Sequence, residues 1–105
     1  MLTRESALKQ AKLFAQACST LPVKINQFIL FGSAANNTAN DQSDIDIALI
    51  SENFSENILS NIDLIGKVAI KFPNIDIHTF SNKEFSGNSL LIDEIKKTGI
   101  VIQKI

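Results

Sequence analysis
At 105 residues, with ten Lys and Arg against eleven Asp and Glu and a formal net charge of −1, the chain has room for one domain and one core, residues 1–105, and not for two lobes with a cleft between them. No excess of positive charge is available to grip a phosphate backbone, so general nucleic-acid binding is disfavoured. One cysteine, Cys18, excludes an internal disulfide, no Cys/His cluster suggests zinc, and neither a signal-peptide core nor a bilayer-spanning run is present, so the expectation is a cytosolic protein with no membrane contact.

Residues 4–19 read as a helix, because Leu8, Ala11, Ala15 and Cys18 recur at three- and four-residue steps with Lys9, Lys12 and Gln16 around them, and Pro22 closes the segment. The run Ile25 to Phe31 is rich in strand formers and ends at Gly32, as a strand delivering a tight turn does. Asn36 to Gln42 is polar and full of turn formers, a loop or short helical turn, and Ser43 to Ile50 is the second strand. Ile58, Ile62, Ile65, Ala69 and Phe72 then form one face of a helix that ends before Pro73. Asn74 to Phe80 alternates, with Ile75, Ile77 and Thr79 on one side and Asp76, His78 and Phe80 on the other, and is the third strand. Ser89 to Thr98 reads as a helix with Leu91 or Ile92 and Ile95 inward, Lys96 and Lys97 at the end that suits cations, and Gly99 as C-cap. Ile100 to Ile105 closes the chain as a short strand whose exposed edge is a route to a homodimer, with Lys104 mildly against it. Cys18, Phe14, Phe28 and Phe31 are core candidates, while Phe54, Phe80 and Phe85 lie nearer loops and suit a base pocket or a partner surface. This order predicts an α/β fold, a small mixed β-sheet with helices packed on it; parallel and antiparallel pairing of the first two strands both remain open.

The chemistry concentrates between Phe31 and Ile50. Asp44 and Asp46 stand two apart in a strand, so they share a face, and two neighbouring carboxylates repel unless a divalent cation lies between them. If the second and third strands are neighbours, Asp76 joins them. Magnesium favours one or two carboxylates plus substrate phosphates, which points to a nucleoside triphosphate. Gly32 permits close backbone approach, and the Ser33 hydroxyl and the amides after it can donate to phosphate oxygens. An incoming hydroxyl could then attack the α-phosphorus with pyrophosphate leaving, Asp44 and Asp46 holding metal and Asp76 holding or deprotonating the nucleophile. His78 shares the face of Asp76, within reach of a phosphate or nucleophile, although such a histidine is more often a rim or packing residue.

Gly32-Ser33, ten intervening residues, Asp44-x-Asp46 and the later strand acid Asp76 resemble the signature of the DNA polymerase β-like nucleotidyltransferases. More narrowly, the stretch from about Ile25 to Phe80 resembles the minimal nucleotidyltransferase (MNT) antitoxins that stand beside HEPN-domain ribonuclease toxins. The resemblance implies transfer of AMP from ATP to a toxin tyrosine hydroxyl. In it Gly32 and Ser33 bind the triphosphate, Asp44 and Asp46 bind Mg2+, one ion or two, and Asp76 completes the metal-binding triad. Relatives often carry an aromatic residue or Arg after the Gly-Ser, and Arg or Lys then Gly two residues later, where this chain has Ala34, Asn36 and Asn37. The loop therefore lacks a cation for the triphosphate, which Lys24, Lys67 or Lys71 would have to supply. Two other readings stand beside this one: nucleotidyl transfer to a small molecule such as an aminoglycoside, and a non-catalytic antitoxin that neutralises its partner by binding alone.

Overall fold
Thr3 caps the first helix, α1 (Arg4–Cys18), in a reciprocal capping box with Ser6. Its buried stripe is Ala7, Ala11, Phe14, Ala15 and Cys18. A computed structural model describes residues 3–33, 35 and 44–104; the expected Asn36–Gln42 loop, with Ala34, Ser43 and the last residue of the expected terminal strand, lies outside them.

Strands β1 (Gln27–Phe31) and β2 (Ile45–Ile50) pair antiparallel. The helix α2 (Ile58–Ala69) then carries the chain to β3 (Ile75–Phe80), which lies parallel to β2. After α3 (Asn82–Phe85) and α4 (Leu90–Thr98), β4 (Ile100–Lys104) returns antiparallel to β1. The sheet is mixed and four-stranded, in the order β3-β2-β1-β4, as the α/β expectation required. The two central strands are apolar almost throughout, since both faces are covered where Leu30, Ile47, Ala48 and Leu49 lie.

α1 and α2 pack on one face, where Phe14 meets Phe28 and Phe72 edge to face over Leu30, Ile45, Ile47 and Leu49. The other face holds Ile29, Phe31, Ala48 and Ile50 under Phe85, Ile92 and Ile95. That second cover is short, and it meets the sheet at the Ile50 and Phe80 end.

Four expectations need correction. The sequence reading has no helix where α3 lies, although Ser81 and Glu84 form its capping box. Phe54 and Phe85 are buried rather than exposed near loops: Phe85 ends α3 and packs on Ile29, Ala48 and Ile50, and Phe54 folds into the core from its loop, showing only an edge to a shallow pocket beside Phe80. On α2 the buried residues are Asn61, Ile65 and Val68, while Ile58 and Ile62 are 64% and 46% exposed. The apolar stripe is wider than the contact it makes, and the polar Asn61 turns inward because Ser55 and Thr79 bond it. Gly99 does end α4, but with extended backbone and not the left-handed cap; a side chain there would meet the Ile95 carbonyl and the Ile29 side chain.

Candidate active site
β1 ends at Phe31, whose register partner is Asp46, so the turn that follows lies beside that acid. Gly32 turns the chain with φ +76°, a conformation that suits glycine. A side chain at this position would begin 2.5 Å from Asp46 Oδ2. Turn and acid are thus packed in contact, and only glycine leaves room for both.

The parallel pairing sets Asp46 opposite Asp76. His78, two residues on, projects to the same side: its Nε2 lies 3.2 Å from Asp46 Oδ1 and 3.4 Å from Asp76 Oδ2. Its ring also meets Phe31 edge-on at 5.0 Å. One ligand atom from each of Asp46, Asp76 and His78 falls within 4.8 Å of the others. Oxygen and imidazole donors gathered this closely fit a divalent cation, with the two carboxylates supplying the hard ligands that magnesium takes.

Burial raises the Asp46 carboxyl above the ordinary aspartate value; the His78 hydrogen bond and charge oppose the rise, and the nearby Asp76 charge adds to it. A carboxylate in such a place gains from a bound cation, which removes the conflict between burial and charge.

The residues expected from sequence divide as follows. Gly32, Asp46 and Asp76 come together. Ser33 follows Gly32 in the turn, half-buried. Asp44 is exposed immediately before β2 and is not one of the clustered ligands. Of the cations proposed to replace the loop residue, Lys24 is anchored through its backbone to Asn53 and Ser51, past the far end of β2. Five residues of strand separate Ser51 from Asp46, about 16 Å, which is more than a lysine side chain spans. Lys67 lies on α2, which packs on the opposite face of the sheet. Sequence reasoning misses Arg4, yet its Nε donates to the Ala35 carbonyl at 3.0 Å, so a guanidinium reaches the turn from the start of α1. Thirty-one residues separate the two, and no local pattern signals the contact.

The sequence profile of the family described as "Polymerase beta, Nucleotidyltransferase" matches residues 14–104. No curated protein matches. Among solved structures, a candidate nucleotidyltransferase from Sulfolobus solfataricus is similar with a TM-score of 0.71 and 23% identity, over 96% of this chain and 83% of that one. A toxin–antitoxin complex with AMP-PNP gives a TM-score of 0.62 at 24% identity, over 90% and 72%. The complex of a tri-AMPylated Shewanella oneidensis HEPN toxin with its MNT antitoxin gives 0.56 at 19%, over 98% and 74%. At these identities the structural likeness speaks for the fold alone.

Proposed function
The chain belongs to the polymerase β nucleotidyltransferase family, and from that premise we propose that it moves AMP from ATP, with magnesium, to a tyrosine hydroxyl of a HEPN toxin and thereby acts as its antitoxin. The observation that carries the reading is the placing of Asp46 beside Asp76 on the open part of the sheet, with the Gly32 turn in contact. Solved relatives of the same fold include a toxin–antitoxin complex with AMP-PNP and an AMPylated HEPN toxin with its MNT partner, which support the choice of nucleotide and acceptor.

In this reading the Gly32-Ser33 turn receives the triphosphate, with backbone amides and the Ser33 hydroxyl as donors. Arg4, held at the Ala35 carbonyl, brings the positive charge that the loop sequence lacks. Asp46 and Asp76, with Asp44 from the approach to β2, would hold the metal. Bound magnesium would offset charge on the phosphates. Asp76, the more exposed of the two clustered acids, faces the acceptor, orients the hydroxyl and takes its proton. The hydroxyl oxygen forms a bond to the α-phosphorus as the bond from that phosphorus to the bridging oxygen breaks, and pyrophosphate leaves with the electron pair. His78, bonded to Asp46, would orient that carboxylate.

The test is an intact-mass spectrum of the HEPN partner after incubation with this protein and Mg-ATP, beside Asp46→Asn and Asp44→Asn variants. Additions of AMP that vanish in the Asp46 variant support the transferase. A stable complex with no added mass moves the reading to neutralisation by binding alone.

A further inference from the structure
β3 lies at the margin of the sheet, and among the described residues no strand pairs with its outer side. Its carbonyls at Asn74 and Phe80 accept from Ile45 and Ser51 at the two ends of β2. In a parallel ladder the bonded residues alternate, so Asp76 and His78 also turn their main chain toward β2, whereas Ile77 and Thr79 turn theirs outward. Around that open edge runs an apolar groove of about 430 Å³, lined by Ile58, Ile62, Ile65 and Ile77 from the α2 side and by His78 and Leu91 from the other. One strand therefore carries three things at once: outward-turned main-chain bonding groups on its edge, an apolar groove that wraps that edge and is deepest on the α2 side, and Asp76 with His78 on the face away from α2.

We infer that this edge receives the acceptor as an added strand: an extended segment of the partner protein whose hydroxyl side chain is flanked on both sides by apolar residues. The inference rests on the transferase reading and names how its acceptor is presented. Strand addition uses main-chain bonds for affinity and alternate side-chain pockets for specificity. A guest residue opposite Ile77 exchanges hydrogen bonds with it and points its side chain into the groove against Ile62 and Ile65. The guest residue next to it lies opposite Asp76 or His78, in a non-bonded pair with Cα atoms about 4.5 Å apart, and its side chain points to the face of the acids. The register of the sheet itself thus delivers every second guest side chain to the reacting centre.

A helical guest would leave the outward main-chain groups of Ile77 and Thr79 without partners. A second copy of this chain paired edge to edge would bring two Asp76 and two Asp46 carboxylates to the same side of one continuous sheet, an arrangement that repulsion opposes while the sites hold no metal. A neutral or basic segment meets neither objection.

The probe is a peptide of sequence Lys-Lys-Val-Tyr-Val-Lys-Lys, capped at both ends and titrated into the protein while the amide exchange of Ile77 and Thr79 is followed by NMR. Protection of those amides supports the proposal, provided that binding weakens at least tenfold both when the two valines are N-methylated and in the Ile62→Asp variant. Ile62 is half-exposed and lies outside the acid cluster, and an unchanged amide spectrum confirms that the variant is folded. Absence of binding at millimolar peptide overturns the proposal, as does binding indifferent to both changes. Protection that rises with protein concentration and needs no peptide also overturns it, by assigning the edge to a second copy. Mass analysis of the same samples with Mg-ATP separates the two readings. A peptide docked in the edge but never modified refutes the transfer to tyrosine and leaves the docking; AMP added without protection of β3 does the reverse.

Discussion

Replacing Gly32 by Ala tests the packing of turn on acid from which the site is built. Two costs arise, and the structure gives the size of each. The backbone holds φ +76°, where an L-residue loses about 1–2 kcal/mol. The new methyl would also lie 2.5 Å from Asp46 Oδ2, against about 3.3 Å for a close carbon–oxygen contact. The carboxylate must therefore retreat by roughly 0.8 Å, the difference of those two distances. Retreat of a side-chain end is cheap in itself, but Oδ1 of the same group is held by His78 at 3.2 Å, so the cluster moves with it. Asp46→Ala removes the oxygen and leaves the backbone as it was, which makes a double-mutant cycle possible. Urea unfolding should show Gly32→Ala costing about 2 kcal/mol alone and about 1 kcal/mol in the Asp46→Ala background. Magnesium binding to the proposed site should raise Tm, and that rise should shrink in Gly32→Ala. A loss below about 0.5 kcal/mol would refute the strained turn, and equal losses in the two backgrounds would refute the contact between turn and acid.

Two other glycines offer a contrast: Gly66 sits in α2 with open space where a methyl would stand, so Gly66→Ala should stabilise by about 0.5–1 kcal/mol, whereas Gly99→Ala meets a backbone carbonyl and should cost about 1–3 kcal/mol, both by urea unfolding. Asn61 is buried, accepts from the Ser55 amide and donates to the Ser55 carbonyl and Thr79 Oγ1; Asn61→Ala orphans these groups and should cost about 2–4 kcal/mol, with faster exchange at the Ser55 amide. Burial pushes the Cys18 thiol up to about 12, so iodoacetamide at pH 8 should label it at the rate of global opening, and labelling in the native baseline faster than that rate would refute its place in the core. Asp46 is raised in the folded state, so the folded protein holds that proton more tightly than the unfolded chain. The stability this supplies is full below the unfolded value of about 3.9 and is lost as pH rises through the folded value. Asp46→Asn should therefore withstand more urea than the wild type at pH 7 in the absence of metal, lose that advantage near pH 3, and transfer no AMP.

What the sequence makes legible lies within a few residues. The two-residue alternation of Ile45 to Leu49 and of Ile75 to Phe80 is local, and it places both strands and puts Asp76 and His78 on one face. The capping pair Ser81 and Glu84 is equally local, yet the four-residue helix it starts is too short to show a helical period, and the sequence reading passes over it. Pairing is not local. That β3 lies parallel to β2 with Asp76 opposite Asp46 depends on α2 crossing the sheet, and nothing in either strand encodes the partner. For the same reason the sequence sets His78 beside Asp76 but not beside Asp46, and gives no sign that Arg4 approaches the turn. On α2 the period of the helix marks an apolar stripe but not its buried part, because periodicity reports which residues share a face and not how much of that face the sheet covers. Ile58 and Ile62 are the uncovered remainder, and Asn61 escapes the pattern because a polar residue turns inward only where its partners, here in a loop and on β3, are already in place.

The same incomplete coverage explains why the acids stand where they do. One face of the sheet is covered by α1 and α2, and there the strands carry Leu30, Ile45, Ile47 and Leu49 into a closed core. Among the described residues, the other face is covered where Ile29, Ala48 and Ile50 meet Phe85, Ile92 and Ile95. α4 is nine residues long, about 13 Å at 1.5 Å per residue, and cannot roof both ends of strands whose other end carries Asp46 and Asp76. A carboxylate roofed by apolar side chains would be driven to its neutral form and lose its value to a metal. A carboxylate fully in water would hold the metal loosely. Asp46 lies between these limits, walled by Phe31 and the Gly32 turn and open toward Asp76. Lengthening α4 by an apolar turn would bury more surface and make a more stable protein, and it would do so by closing the half of the sheet on which the proposed chemistry depends.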